Sequence, residues 1–358
     1  IFESGQLSVI KSENELGDNM QLVPAIQAGA VKSFDNENDG IPDVAFIEES
    51  DNTLKIFLNN KNGIPSLLYP IQIADDHKEI LVDEFFKSTK IFYCYSKGGP
   101  LLEIFKFNFH TNKLNRKQLY APGEILDVAM QRIDSTIVNI YLVYTKQSKL
   151  YLGKFENKEL SVTFREYPFI DRNVSSAELF IGDEPEVYYW KSEGESFHFK
   201  KTNIKSGPYS FKSYFEIPKS NETKINLYGA DTYSSVYPTV VSLVQNESEN
   251  HLLVIAADQF SISNQILNST EQNVKDYGSG FFGETSIKGI TNFTVNSADD
   301  NYIYKMIYRE KEKTYLLNQM FAAENVSDYF FAKLDRKNYF LVYSNNKESY
   351  ISIKSIKK

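Results

Sequence analysis

Short apolar segments recur in triplets along this chain, and that recurrence constrains its fold more than any single motif. In one clear triplet, Ile80-Leu81-Val82 is followed by Ile91-Phe92-Tyr93-Cys94-Tyr95 and then by Leu102-Glu103-Ile104-Phe105-Lys106-Phe107. The next repeats the plan with Ile125-Leu126-Asp127-Val128, Val138-Asn139-Ile140-Tyr141-Leu142-Val143-Tyr144 and Leu150-Tyr151-Leu152-Gly153-Lys154-Phe155. Runs of this length, rich in β-branched and aromatic residues and bounded by turn residues, read as strands. The 26 Phe and 24 Tyr push the same way, and helical stripes of Ala, Leu and Glu are scarce.

Seven units fit the 358 residues, at 26–75, 78–120, 124–170, 174–218, 224–262, 287–321 and 326–356. About 50 residues per unit is the size of a four-stranded blade. The last unit runs out of chain after its third strand, while Gln6-Leu7-Ser8-Val9-Ile10-Lys11 is a strand-like segment with no unit of its own. The expectation is therefore an all-β fold, a seven-bladed β-propeller forming one domain over 1–358, with strand 6–11 closing the last blade and hiding two edges at once. A pair of β-sandwiches or an irregular β-solenoid is the alternative. Residues 261–286 break the rhythm and read as a long polar loop, whose Phe281-Phe282 either tucks into a blade edge or anchors a partner.

The first unit carries the chemistry. Between its first two strands stands Asp35-Asn36-Glu37-Asn38-Asp39-Gly40-Ile41-Pro42-Asp43, a D-x-E-x-D-G-x-x-D pattern. Alternate side chains of an extended loop point the same way, so Asp35, Glu37 and Asp39 converge, Gly40 permits a sharp turn, and Asp43 returns a fourth carboxylate. A hard cation with oxygen ligands, Ca²⁺ first, would hold such a loop, with the carbonyl of Ile41 as a fifth ligand. The other reading is a plain hairpin turn on Asn-Asp-Gly.

Strand, acidic loop, strand, turn, strand, LNNKNG and strand, over residues 28–73, together resemble the FG-GAP/VCBS repeat of integrin-like β-propellers. The resemblance implies that Asp35, Glu37, Asp39 and Asp43 bind Ca²⁺ between the first two strands of a blade. Glu37 departs from the Asp or Asn usual there. The other units lack the full acidic pattern: the fifth keeps only Asp231 at the equivalent place, and Asp299-Asp300 of the sixth reads as a turn.

Composition excludes several function classes. A net charge of −8 gives no electrostatic footprint for nucleic acid, and the basic end Lys354-Ser355-Ile356-Lys357-Lys358 reads as solvated. No apolar run is long enough to span a membrane. The single cysteine, Cys94, rules out an internal disulfide framework and reads as a small buried apolar group. The four histidines, His77, His110, His198 and His251, fall in separate units without metal-ligand spacing, and no nucleophile elbow, P-loop or dinucleotide fingerprint occurs. Six Asn-x-Ser/Thr sequons, at Asn173, Asn221, Asn246, Asn268, Asn292 and Asn325, matter only in a secretory eukaryote.

The expected function is a non-enzymatic binding or adhesion module, secreted or on a cell surface, with a protein or glycan ligand and one structural Ca²⁺. The chain starts at Ile1, which fits a processed or truncated product, monomeric or part of a larger polypeptide. The alternatives are a propeller shell segment of a bacterial toxin-complex or Rhs-like protein, and a polysaccharide lyase using His, Tyr and Arg across a central face.

Overall fold

The computed structural model describes residues 20–36, 40–59, 66–158, 162–182, 184–203, 212–219, 224–230, 239–245, 250–257, 262–268, 274–280, 293–297, 302–309, 314–322, 326–333, 339–345, 347 and 349–356. Every regular element among them is a strand. The first, β1 (Met20–Pro24), leads into four antiparallel strands in sequential order: β2 (Ala28–Phe34), β3 (Asp43–Glu48), β4 (Thr53–Leu58) and β5 (Ser66–Gln72).

Four more sheets repeat this meander. The second holds β6 (Glu79–Asp83), β7 (Thr89–Tyr95), β8 (Leu101–Asn108) and β9 (Lys113–Tyr120). The third holds β10 (Glu124–Arg132), β11 (Ile137–Lys146), β12 (Lys149–Lys158) and β13 (Val162–Arg172). The fourth has β14 (Val174–Ile181), β15 (Pro185–Glu193), β16 (Ser196–Asn203) and β17 (Lys212–Pro218). The fifth has β18 (Lys224–Ala230), β19 (Thr239–Gln245), β20 (Asn250–Ala257) and β21 (Ile262–Asn268).

The remaining strands are β22 (Val274–Gly280), β23 (Phe293–Ser297), β24 (Tyr302–Arg309), β25 (Thr314–Ala322), β26 (Val326–Lys333), β27 (Tyr339–Asn345) and β28 (Tyr350–Ile356). They join β1 in an eight-stranded sheet ordered β1-β28-β27-β26-β22-β23-β24-β25. Within it, two antiparallel sets of four are linked by a short parallel pairing of Ser279 and Gly280 with Phe330 and Phe331.

The sheets stack face to face, which explains why second strands such as β3, β7 and β11 are apolar at most positions. Side chains alternate faces along a strand, so a strand covered on both sides reads as a continuous apolar run. On β7, Phe92 and Cys94 pack against Phe34, Ala45 and Ile47 of the first sheet, while Ile91, Tyr93 and Tyr95 pack against Ile140, Leu142 and Tyr144 of the third. The series continues with Tyr141 and Val143 against Val187 and Tyr189, then Trp190 and Phe199 against Ile225 and Leu227. The first sheet also uses its other face, burying Val31, Val44 and Phe46 with Val342, Ile351 and Ile353 of the last strands.

Two expectations change. Segment 6–11 lies outside the described residues, and the strand that covers the edge of β28 is β1, in register from Met20↔Lys354 to Pro24↔Tyr350. The short link from Pro24 to β2 places β1 there, and Pro24 is tolerated because β1 is an edge strand. The stretch expected as a 261–286 loop contains β21 and β22, so the sixth set of four begins at Val274 rather than near 287. Pairing with β20 holds the polar β21 sequence extended despite its weak local preference. Phe281 and Phe282 lie outside the described residues. Cys94 is fully buried, as expected, and burial pushes its thiol well above the usual range.

Candidate functional site

The β2–β3 connection carries the acidic pattern. Of its candidate ligands, Asp35, Ile41 and Asp43 are described, and Glu37 and Asp39 lie outside the described residues. Gly40 has φ 78°, a left-handed conformation that suits glycine and lets the chain reverse. Asp35 and Asp43 are brought to the same end of the hairpin and are both buried, as is Asn36 between them in sequence and space.

Backbone amides organise the two carboxylates. The Gly40 N–H donates to Asp35 Oδ2 at 3.0 Å, and the Asn36 N–H donates to Asp43 Oδ2 at 2.7 Å. Asp43 Oδ1 accepts from the Asn59 N–H at 2.6 Å, tying the loop to the end of β4. The carbonyl of Pro42 accepts from Asn59 Nδ2 at 3.2 Å, so Asn59 braces the acidic loop a second time. Asn36 Oδ1 is buried with no hydrogen-bond donor. A buried carbonyl oxygen in that state, beside two carboxylates, is the donor chemistry a hard cation takes. The sequence pattern assigned Asn36 no role.

A cation of the protein itself stands behind the loop. Lys90, at the start of β7, is fully buried, and its Nζ donates to the carbonyls of Glu84 at 3.4 Å and Phe86 at 3.0 Å. Burial pushes its ammonium below the usual range, opposed by the carboxylates of Glu84, Asp35, Asp43 and Asp83. Glu84 closes the circuit, because its Oε2 accepts the Asp35 N–H at 2.9 Å. The loop of the first sheet is thereby pinned to the β6–β7 turn of the second. Among the described residues no three His, Cys, Asp or Glu side chains form a metal-holding group.

The histidines stay apart. His77 is buried against the fully buried Glu103, 3.1 Å from its Nε2 to Oε2. Glu103 also accepts from the Ala74 N–H, Gln118 Nε2 and the Arg116 guanidinium. Burial alone would raise this carboxyl, but the donors from His77, Ala74, Gln118 and Arg116 win and hold it at about 2. His110 is exposed beyond β8, His198 is on β16, and His251 is on β20. No local pattern marks this pair, since His77 and Glu103 lie 26 positions apart.

Charged groups also line the first strands of successive sheets. Glu79 of β6, Asp127 of β10 and Glu178 of β14 surround Lys97, whose Nζ reaches Glu178 at 2.8 Å. Burial pushes the Glu178 carboxyl up to about 8, with the Asp127 charge adding to the shift and Lys97 opposing it. Asp127 accepts from Tyr95 Oη at 3.1 Å and from the Leu179 N–H at 2.7 Å, so it stitches three sheets together.

No family model matches the chain, and no curated protein does. Solved structures do. One is a crystal structure of BBS1N in complex with ARL6DN, with 10% identity, a TM-score of 0.56, and coverage of 100% of this chain and 98% of that one. Another is the hydrazine synthase of Kuenenia stuttgartiensis, with 10% identity, a TM-score of 0.59, and coverage of 98% and 99%. At this identity the likeness is one of fold: the chain is β-propeller-like along its whole length.

Proposed function

We propose that this chain is a seven-bladed β-propeller that serves as a secreted or cell-surface binding module for a protein or glycan, with one structural Ca²⁺ in loop 35–43. The observation that carries the reading is the double packing of the first sheet. One face meets the second sheet through Ala45 and Ile47, and the other meets the last strands through Val44 and Phe46. A stack of sheets whose first member touches its last is what a ring requires, and the pairing of β1 with β28 supports that closure. The sets of four strands, counted with β1 in the last, then number seven.

Calcium fits the loop through oxygen donors: Asp35, Asp43, Asn36 Oδ1 and the carbonyl of Ile41, completed by Glu37 and Asp39. When bound it would neutralise carboxylates that Lys90 balances only in part. The binding role is supported by the frame, since the similar BBS1N structure is a complex with a protein, ARL6DN. The FG-GAP/VCBS resemblance of residues 28–73 supports the same reading.

Thermal unfolding in about 10 mM CaCl₂ and in chelator tests it. A site with a Kd of about 10⁻⁴–10⁻³ M adds roughly 1.4–2.7 kcal/mol at that concentration. For a chain of this size that is a rise of roughly 2–4 °C, absent with Mg²⁺ and absent in Asp35→Asn. An unchanged melting temperature would remove calcium from the account.

A further inference from the structure

Asp35 is the first residue past the end of β2, whose ladder with β3 closes on the pair Phe34↔Asp43. It is buried, so its N–H needs an acceptor from outside that ladder. The acceptor comes from another sheet: Glu84 Oε2, 49 positions along the chain, takes the Asp35 N–H at 2.9 Å. The next amide, that of Asn36, goes to Asp43 Oδ2 of the same sheet at 2.7 Å. The entry to the loop is thus set by one carboxylate of its own sheet and one of the next. Asn36 Oδ1, buried and without a donor, is the oxygen left over for a cation.

Glu84 can serve as an anchor because its own turn is held. β6 ends at Asp83 and β7 begins at Thr89, so Glu84 opens a turn over 84–88. The buried Lys90 ammonium donates to two carbonyls of that turn, Glu84 at 3.4 Å and Phe86 at 3.0 Å. From the third sheet, Arg132 pairs with Asp83 and lies over the Phe85 and Phe86 rings at 4.8 Å and 5.0 Å. Within the turn, the Phe85 N–H donates to Asp83 Oδ1 at 3.2 Å. The Glu84 carboxylate therefore reaches Asp35 from a fixed base.

We infer that Glu84 is the cross-sheet positioning residue of the cation loop: by holding the Asp35 amide it sets the Asp35 carboxylate for the ion, and calcium in turn clamps the first sheet to the second. Glu84 acts through Asp35 and takes no place among the ligands. The coupling is reciprocal, so whatever factor the Glu84 hold adds to calcium affinity, calcium adds to the hold. The inference rests on the calcium reading of loop 35–43 and adds to it a residue that no local spacing marks.

The test follows melting temperature against calcium concentration, together with hydrogen exchange read by mass spectrometry, both on the full chain. In wild type, saturating calcium should slow exchange in 35–43 and also across 84–90, by about tenfold or more. Glu84→Ala should bind calcium about tenfold more weakly. In that variant saturating calcium should still protect 35–43 but no longer 84–90. Glu84→Gln keeps a side-chain oxygen for the Asp35 N–H; it should bind calcium within about threefold of wild type and keep both segments protected. That rescue separates positioning from bulk negative charge, which glutamine removes as fully as alanine does. Calcium bound by Glu84→Ala as tightly as by wild type, or by Glu84→Gln no better than by Glu84→Ala, would overturn the inference and leave the calcium reading in place. So would wild-type protection confined to 35–43, a result that needs no variant and stands even if Glu84→Ala fails to fold. Wild type that takes up no calcium would remove the calcium reading and this inference together.

Discussion

Glu103→Gln is the substitution whose cost the structure sets most fully. Glu103 is fully buried on β8 and collects donors from the Ala74 N–H at 2.6 Å, His77 Nε2 at 3.1 Å, Gln118 Nε2 at 3.0 Å and Arg116 Nε at 2.8 Å. Its carboxyl sits at about 2 in the fold against 4.5 as a free side chain. That gap corresponds to about 3 kcal/mol favouring the folded state once the group is ionised. The sign follows from the folded value being the lower one. The stabilisation is complete above the unfolded pKa and drains away as pH falls from about 4.5 towards 2. Glutamine keeps the volume but presents an amide NH₂ to donors, leaving the Ala74 N–H, His77 or Gln118 badly matched while the exposed Arg116 guanidinium turns to water, at about 2–4 kcal/mol near neutral pH. The assay is urea unfolding followed by Trp190, the single tryptophan, which is fully buried. Wild type and variant should differ by that amount at pH 7 and converge by about pH 2–3. A difference below about 1 kcal/mol at pH 7, or one that does not shrink in acid, would refute the reasoning.

Two other perturbations probe the loop and the joint. Lys90→Met should cost about 3–5 kcal/mol in calcium-free buffer, because it strips a buried counter-charge from Asp35, Asp43 and Glu84. Calcium should recover more stability in this variant than in wild type, as read by melting temperature with and without the ion; equal gains would separate Lys90 from the loop. Deleting residues 1–24 removes β1, leaving the edge of β28 bare and Val23 missing from its cluster. Hydrogen exchange should then accelerate in β27, β28 and β2, with the third and fourth sheets less affected; unchanged protection would mean that β1 closes nothing.

The sequence announced the central strands and hid the edges. β7, β11 and β15 are apolar on both faces because sheets cover both sides, so each stands out as an uninterrupted run. The outer strand β9, Lys113–Tyr120, is exposed at most positions and carries no alternating apolar signal. β21 and β22 read as loop because polar residues and glycine interrupt them, and only pairing with neighbours makes them strands. The segment 6–11 reads as the partner of the last strand because it is strand-like and has no unit of its own, whereas β1, which pairs with β28, is short and ends in proline. At the candidate site, local spacing was enough to single out Asp35 and Asp43. Their counter-charge could not be read, since Lys90 and Glu84 reach the loop from the next sheet, and neither could the bracing of Asp43 by Asn59. Asn36 occupies a position that strict alternation points away from Asp35, yet its Oδ1 is buried beside both carboxylates.

A crystal structure grown in calcium chloride, with anomalous scattering to identify the ion, tests the central claim most directly. The account predicts seven four-stranded blades in a closed ring, β1 seated on β28, and one Ca²⁺ between Asp35 and Asp43 with the Asn36 carbonyl turned towards it. An open stack of sheets, or a closed one whose acidic loop is filled by the Lys90 ammonium with no ion present, would contradict it.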